Sequence, residues 1–382
     1  MSRKRVAILG STGSIGKNAI KVLRNLQSDF EIVALTANSN FQLLAEQANE
    51  FHVKNLVLAN KDAAEKLRPL VASDVKVYCS EKATSEIIIN EDIDIVLCAI
   101  IGIGGFIPVL NAIKHNKRIA LASKEVMVMA GEFINRELLK YPASTIIPVD
   151  SEHSALFQCL LNRDINEVKN LILTSSGGPF SNFSAEELAK VTPEMALKHP
   201  VWSMGKKITI DSASMMNKAL EVIEAHHLFN IAADKIQVLI HKEAIIHSMV
   251  EFNDNSNLAL LSNPSMELPI QYALTYPKVI TSNVTPLNLA KIGSLTFKEV
   301  NQNLFPSLKF ARQAIEVGGT MGAIMNAANE VAVERFIKRE ISFPQIWTIV
   351  EKTLASVSVL PQDTLENILE SDCKAREFAS KV

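Results

Sequence analysis

Over its first 149 residues the chain alternates short β-branched runs with stretches of helical period, and few folds accept that rhythm. The apolar runs fall at 6–9, 32–35, 56–58, 75–78, 93–98, 119–122 and 145–149, with helical spacing between most of them, as at 17–26 and 41–51. Parallel strands need a crossover of a dozen or more residues, usually a helix, so this pattern predicts a doubly wound, mainly parallel sheet. The turn after the first run, Gly10-Ser11-Thr12-Gly13-Ser14-Ile15-Gly16, opens a helix near Lys17. Glycines there let backbone approach a pyrophosphate, and the helix N-terminus offers amide donors and partial positive charge. The N-terminal domain is therefore expected to be α/β and Rossmann-like, closing near residue 149.

The pattern then changes. Residues 150–275 mix helices with strands expected at 168–174, 237–240, 245–252 and 258–261, which predicts an α+β domain with one sheet. Residues 276–300, with Pro277 and Pro286, look like a linker. Helical spacing at 308–317, 320–339 and 344–357 and from 365 predicts a small C-terminal helical bundle over 301–382. A length of 382 residues, 48% of them apolar, supports several cores. The net charge of −2 provides no large field for nucleic acid or an anionic membrane. The uncharged run 95–110 is too short to cross a bilayer and is broken by Gly102, Gly104, Gly105 and Pro108. Ser2-Arg3-Lys4-Arg5 runs straight into the first strand without the apolar stretch of a signal peptide. The four scattered cysteines include no CxxC pair, which fits a reducing, cytoplasmic setting.

Asp150 and Glu152 stand where the apolar run 145–149 stops. In an extended chain residues i and i+2 point the same way, so the two carboxylates can converge on one divalent cation; the alternative is a solvated turn. Ser175-Ser176-Gly177-Gly178 has the composition of a small anion loop or of an ordinary turn. Asn217, Lys218 and Glu221 share one face of a helix, offering phosphate donors and a further carboxylate, or a surface ion pair. His199, Trp202 and Met204, in a loop that also holds Pro200 and Gly205, form either a lid over a ligand or a structural plug. His241 and His247 flank strand ends and read as metal ligands or core residues, and His226-His227 as helix surface. The second strand ends Ala37-Asn38-Ser39-Asn40, without the carboxylate that binds an NAD ribose, which tilts the reading toward NADP.

Taken together, GSTGSIG at 10–16, PVDSEH at 148–153, SSGGPF at 175–180, HPVWSMG at 199–205, DSASMMNKALE at 211–221, IHSMV at 246–250 and NAANE at 326–330 resemble the 1-deoxy-D-xylulose 5-phosphate reductoisomerase family, in its order and over nearly the whole chain. The resemblance implies an NADPH-dependent enzyme that rearranges and reduces 1-deoxy-D-xylulose 5-phosphate to 2-C-methyl-D-erythritol 4-phosphate in non-mevalonate isoprenoid synthesis. It implies Asp150, Glu152 and Glu221 as ligands of Mg²⁺ or Mn²⁺, with Lys124 catalytic beside them. Ser176, Ser212, Asn217 and Lys218 would hold the phosphate, Ser151 and Lys124 the sugar hydroxyls, and His199, Trp202 and Met204 the lid. Gly10, Thr12, Gly13, Ser14, Ile15, Asn38, Asn40, Ser123, Glu125 and Gly205 would line the cofactor, and a homodimer is implied. The chain departs from the family in Ser123 for Asn, Asn38 for Gly, Ser39 for a basic residue and Ala219 for Gly.

Two other classes accommodate the nucleotide turn. A sugar-phosphate or semialdehyde dehydrogenase would need a thiol nucleophile, for which Cys159 is the candidate near the domain junction. A nucleotide-binding scaffold would bind cofactor independently of the acidic residues.

Overall fold

The alternation in the first part closes into one sheet in the computed structural model, which describes residues 3–199, 202 and 204–382. Strands β1 (Lys4–Leu9), β2 (Phe30–Ala37), β3 (Asn55–Leu58), β4 (Lys76–Tyr78), β5 (Ile95–Cys98), β6 (Arg118–Leu121) and β7 (Thr145–Pro148) lie in the order β4-β3-β2-β1-β5-β6-β7, all parallel. Val6 to Leu9 and Ile95 to Cys98 are almost wholly buried, the continuous apolar character of strands covered on both faces. The order reverses between β1 and β5, and in such sheets ligands bind beyond the strand C-termini at that point. Gly10, at φ +85°, occupies it: a Cβ there would lie 2.7 Å from the Ala99 carbonyl oxygen after β5.

The chain divides into two compact units. The first comprises Met1–Val126, Arg136–Ser154 and Ser265–Val284, the second Met127–Asn135, Ala155–Pro264 and Thr285–Val382. The helix Glu267–Thr275 thus packs with the nucleotide sheet's unit, where Lys21 meets Glu267 at 2.5 Å and Arg118 donates to the Leu274 carbonyl at 3.3 Å. The Arg118 guanidinium also lies 5.6 Å from the centre of the Tyr276 ring. The stretch 276–300 is shared between the two units.

The second unit holds a five-stranded sheet of β8 (Val168–Ser175), β9 (Ile236–Ile240), β10 (Ile246–Phe252), β11 (Asn257–Leu261) and β12 (Lys298–Glu299), in the order β11-β10-β8-β9-β12. β8 and β9 run parallel, and the other pairs are antiparallel. β12 arises within the stretch read as a linker, where two residues pair with β9; so short a strand leaves no periodicity to read. The helices Ser307–Val317, Met321–Ile337, Gln345–Ser356 and Leu365–Lys381 share a single apolar core with this sheet, running from Leu156 and Val168 to Leu354 and Ala379. Trp347 ties two of these helices together and to Ser214: its indole N–H donates to the Ser214 carbonyl at 3.1 Å and to Ser307 Oγ at 3.0 Å.

His227 is not the surface residue its sequence position suggests. Its ring lies against Gly131, where a Cβ would come within 2.2 Å of it, and burial pushes its pKa down to about 3. A glycine opposite a ring leaves no periodic trace in either helix.

Candidate active site

In the first unit the nucleotide turn is built almost entirely from backbone. The Gly10 N–H donates to the Thr36 carbonyl at 3.1 Å and to Thr36 Oγ1 at 3.0 Å, the Ser11 N–H donates to the same carbonyl at 2.9 Å, and Gln47 Nε2 donates to the Ser11 carbonyl at 3.1 Å. The helix Ser14–Arg24 then starts with no side-chain cap and no acidic residue in its first turn. Its first amides and its partial positive charge are therefore left for an anion, so the turn fits a dinucleotide pyrophosphate. Thr12 and Ile15 are partly exposed and Gly13 and Ser14 exposed around it. Asn38 and Asn40 are exposed just past β2, and Asn40 Oδ1 also caps the next helix through the Leu43 N–H at 3.2 Å. Ser123 is 4% exposed, with its hydroxyl donating to the Ile100 carbonyl. Glu125 is buried at the start of the helix Glu125–Lys140.

The acidic pair is arranged differently from the extended dipeptide read in the sequence. β7 ends at Pro148 and a helix, Ser151–Cys159, begins three residues later, with the Ser154 N–H donating to the Asp150 carbonyl at 2.7 Å. Glu152 therefore occupies a first helical turn, where the helix dipole favours a carboxylate, and strand alternation does not relate it to Asp150. Buried Lys124 places Nζ 2.6 Å from Asp150 Oδ2, and the Ser151 hydroxyl donates to Glu152 Oε2 at 2.6 Å. His153, fully buried, brings Nδ1 to 3.9 Å from Asp150 Oδ2.

In the second unit the predicted phosphate and lid residues meet. His199 Nε2 lies 3.2 Å from Ser176 Oγ and 3.1 Å from Ser212 Oγ, while its Nδ1 accepts the Trp202 N–H at 2.9 Å. An accepting Nδ1 puts the proton of a neutral ring on Nε2, which then donates to the serines. Gly178, at φ +63°, allows the loop to approach this helix: a Cβ there would lie 2.7 Å from the Ser212 carbonyl. Trp202 and Met204 are half-buried and Gly205 exposed ahead of the helix Lys206–Ala213; Pro200, Val201 and Ser203 of the expected lid lie outside the described residues. On the helix Met216–Phe229, Asn217 Nδ2 donates to Glu221 Oε1 at 2.5 Å. Lys218 Nζ donates to Glu221 and, at 2.5 Å, to the Thr174 carbonyl. Lys218 and Glu221 are 3% and 1% exposed, so the surface ion pair allowed by the sequence is a buried one.

Burial lowers the His199 pKa below the usual histidine value. An unfolded imidazole titrates near ~6.5, so as the pH falls through that value the unfolded chain takes up this proton first and the folded loop loses stability. Protonation also removes the lone pair that accepts the Trp202 N–H. In an NMR titration the His199 ring is expected to show a midpoint below ~6.5. A midpoint above that value contradicts the buried, neutral ring.

Other residues resolve into structure. His241 donates from Nδ1 to the Thr296 carbonyl at 2.9 Å and accepts the Ile245 and Ile246 N–H groups on Nε2, so both ring nitrogens hold the fold together. His247 Nε2 pairs with Ser262 Oγ at 2.7 Å. Cys159 is buried, and burial pushes its thiol up to about 11, which removes the thiolate a dehydrogenase nucleophile requires. Sequence reading gave no chemical role to the NAANE segment, yet Asn329 Nδ2 donates to Asp211 Oδ1 at 2.8 Å. Two amides buried on one apolar helix were the available signal.

Comparison with known proteins places the whole chain. Residues 6–131 match the family model described as 1-deoxy-D-xylulose 5-phosphate reductoisomerase, and residues 146–229 and 261–378 match two models of C-terminal domains of the same enzyme. Among curated relatives, 1-deoxy-D-xylulose 5-phosphate reductoisomerase from Caldanaerobacter subterraneus subsp. tengcongensis is 47% identical over 375 residues, covering 98% of each chain. That from Phocaeicola vulgatus is 45% identical over 379 residues, 99% of this chain and 98% of the relative. The solved Zymomonas mobilis enzyme in complex with NADPH superposes with a TM-score of 0.93 at 38% identity, covering 100% of this chain and 99% of that one. A structure of the reductoisomerase with NADPH, fosmidomycin and magnesium gives 0.93 at 39% identity, covering 99% and 98%.

Proposed function

The chain belongs to the 1-deoxy-D-xylulose 5-phosphate reductoisomerase family, and from that premise we propose that it catalyses the NADPH- and divalent-metal-dependent rearrangement and reduction of 1-deoxy-D-xylulose 5-phosphate to 2-C-methyl-D-erythritol 4-phosphate. The observation that carries this reading is the buried pair Lys218 and Glu221 with half-buried Asn217 beside it, which sets an ammonium for a phosphate beside a carboxylate for a cation. Asp150, Glu152 and Glu221 are the proposed metal ligands: all-oxygen donors suit Mg²⁺ or Mn²⁺. Bound there, the cation supplies Lewis-acid stabilisation of developing oxyanion charge, and NADPH supplies the hydride.

The chain's own groups do the rest. Lys124, with Nζ already at Asp150, holds a proton beside the sugar oxygens. Ser151 orients the Glu152 carboxylate by its hydrogen bond and offers its hydroxyl to the sugar. Ser176, Ser212, Asn217 and Lys218 anchor the phosphate, and His199, Trp202 and Met204 exclude water from the reacting carbons. Gly10, Thr12, Gly13, Ser14, Ile15, Asn38, Asn40, Ser123, Glu125 and Gly205 are assigned to the cofactor. By this reading residues 1–149 bind NADPH, 150–275 carry metal and substrate, 276–300 connect, and 301–382 give helical support.

A cytoplasmic homodimer completes the proposal. All four cysteines are free, and no helix among the described residues is long and apolar enough to cross a membrane. Edge strand β11, with the sequence NLALL and Leu258 41% exposed, offers a second copy an unpaired apolar edge. With 1-deoxy-D-xylulose 5-phosphate present, oxidation of NADPH is expected only when Mg²⁺ or Mn²⁺ is added, and a chelator should abolish it. Turnover that persists in chelator contradicts the metal assignment.

A further inference from the structure

We infer that Asn329 is a positioning residue that sets the base of the lid and the phosphate serine from the far end of the chain, through Asp211 and Lys207. Asn329 lies in the middle of the helix Met321–Ile337 and is fully buried. Such a place in an apolar helix is unfavourable for an amide, and its Oδ1 has no partner among the described residues. Its Nδ2 donates to Asp211 Oδ1 at 2.8 Å. The acceptor must be the carboxylate, since Asp211 is 1% exposed and its other oxygen meets Lys207 Nζ at 2.8 Å.

That chain of contacts spans the helix Lys206–Ala213 from its first turn to its last. Lys207 is the second residue of the helix, which Lys206 opens directly after Gly205, and Ser212, next to Asp211, carries the hydroxyl 3.1 Å from His199 Nε2. One amide therefore bears on both the first turn of this helix and the serine that meets His199. Lys207 further supplies the counter-charge that lets Asp211 stay buried as an anion. Without the Asn329 donor, Asp211 Oδ1 loses this hydrogen bond across to the helix Met321–Ile337, and the helix that carries Ser212 is held less firmly in place.

The inference rests on Ser212 being a phosphate anchor, and the test separates the two. Steady-state kinetics are measured for Asn329→Leu, for the exchanged pair Asp211→Asn with Asn329→Asp, and for Ser212→Ala, with thermal unfolding of each. Asn329→Leu is expected to raise the KM for the sugar phosphate on the order of tenfold or more while leaving the KM for NADPH unchanged, and the exchanged pair to recover part of the loss. A lower melting temperature with both KM values unchanged would overturn the inference, as would an exchanged pair no better than Asn329→Leu. If Ser212→Ala raises the sugar-phosphate KM and Asn329→Leu does not, the anchor stands and the inference alone fails. If Ser212→Ala changes nothing, both fall.

Discussion

Replacing Glu221 by glutamine is expected to lower kcat by roughly 10³ and, separately, to destabilise the fold. The first effect follows if Glu221 is a metal ligand: Lewis-acid stabilisation is worth several kcal/mol, and each ~1.4 kcal/mol is tenfold in rate. The second follows from the geometry alone. Lys218 is 3% exposed and donates to the Glu221 carboxylate and the Thr174 carbonyl, so a neutral amide at 221 removes the carboxylate charge paired with its buried ammonium. Removing one partner of a buried pair costs about 3–5 kcal/mol. Denaturant unfolding in the absence of metal reads the stability effect, and turnover of the folded variant at saturating metal reads the catalytic one. Glu221→Asp keeps the charge and should retain part of both. A glutamine variant that is destabilised but turns over at nearly the parent rate would leave Glu221 as the counter-ion of Lys218 and remove it from the metal set.

The largest effect on the cofactor is expected from Gly16→Ala. A Cβ at Gly16 would lie 2.3 Å from the Gly10 carbonyl oxygen and 2.4 Å from Ser11 Cα. Both are backbone atoms, and both belong to the turn that the Gly10 and Ser11 N–H groups hold against Thr36. A flexible side chain could give way; a doubly anchored turn must move as a piece, and with it the amides at the start of the helix Ser14–Arg24. Hydrogen bonds to a charged group are worth about 1.5–3 kcal/mol, so losing one from these amides to the pyrophosphate should raise the Kd for NADPH, read by quenching titrations, roughly 10- to 100-fold. An unchanged Kd would show that the glycine serves helix packing alone.

What could be read in the sequence depended on which residues leave a periodic or chemical trace. The parallel sheet was legible because strands buried on both faces must be continuously apolar, and their crossovers must be helices. Asn217, Lys218 and Glu221 were legible as one face because helical spacing is local. The acidic pair was legible as chemistry but not as geometry: nothing in Ile147-Pro148-Val149-Asp150 announces that a helix starts at Ser151 in place of an extended continuation. β12, the Gly131 contact with His227 and the Asn329 donation to Asp211 join positions separated by 55 residues or more, and no local pattern encodes such pairs. Of the two readings open for His241, the core one holds, for a related reason. Its two nitrogens are claimed by backbone groups at 245, 246 and 296, which only the folded chain brings to the ring.

If one chain both breaks a carbon skeleton and reduces the product, the carbon skeleton itself records it. The protein is incubated with 1-deoxy-D-xylulose 5-phosphate labelled with carbon-13, NADPH and Mg²⁺, and the product is identified by NMR. The expected product is the branched 2-C-methyl-D-erythritol 4-phosphate, formed in equal amount to the NADPH consumed. NADPH consumption accompanied by an unbranched reduced sugar phosphate would contradict it, leaving a dehydrogenase on the same fold.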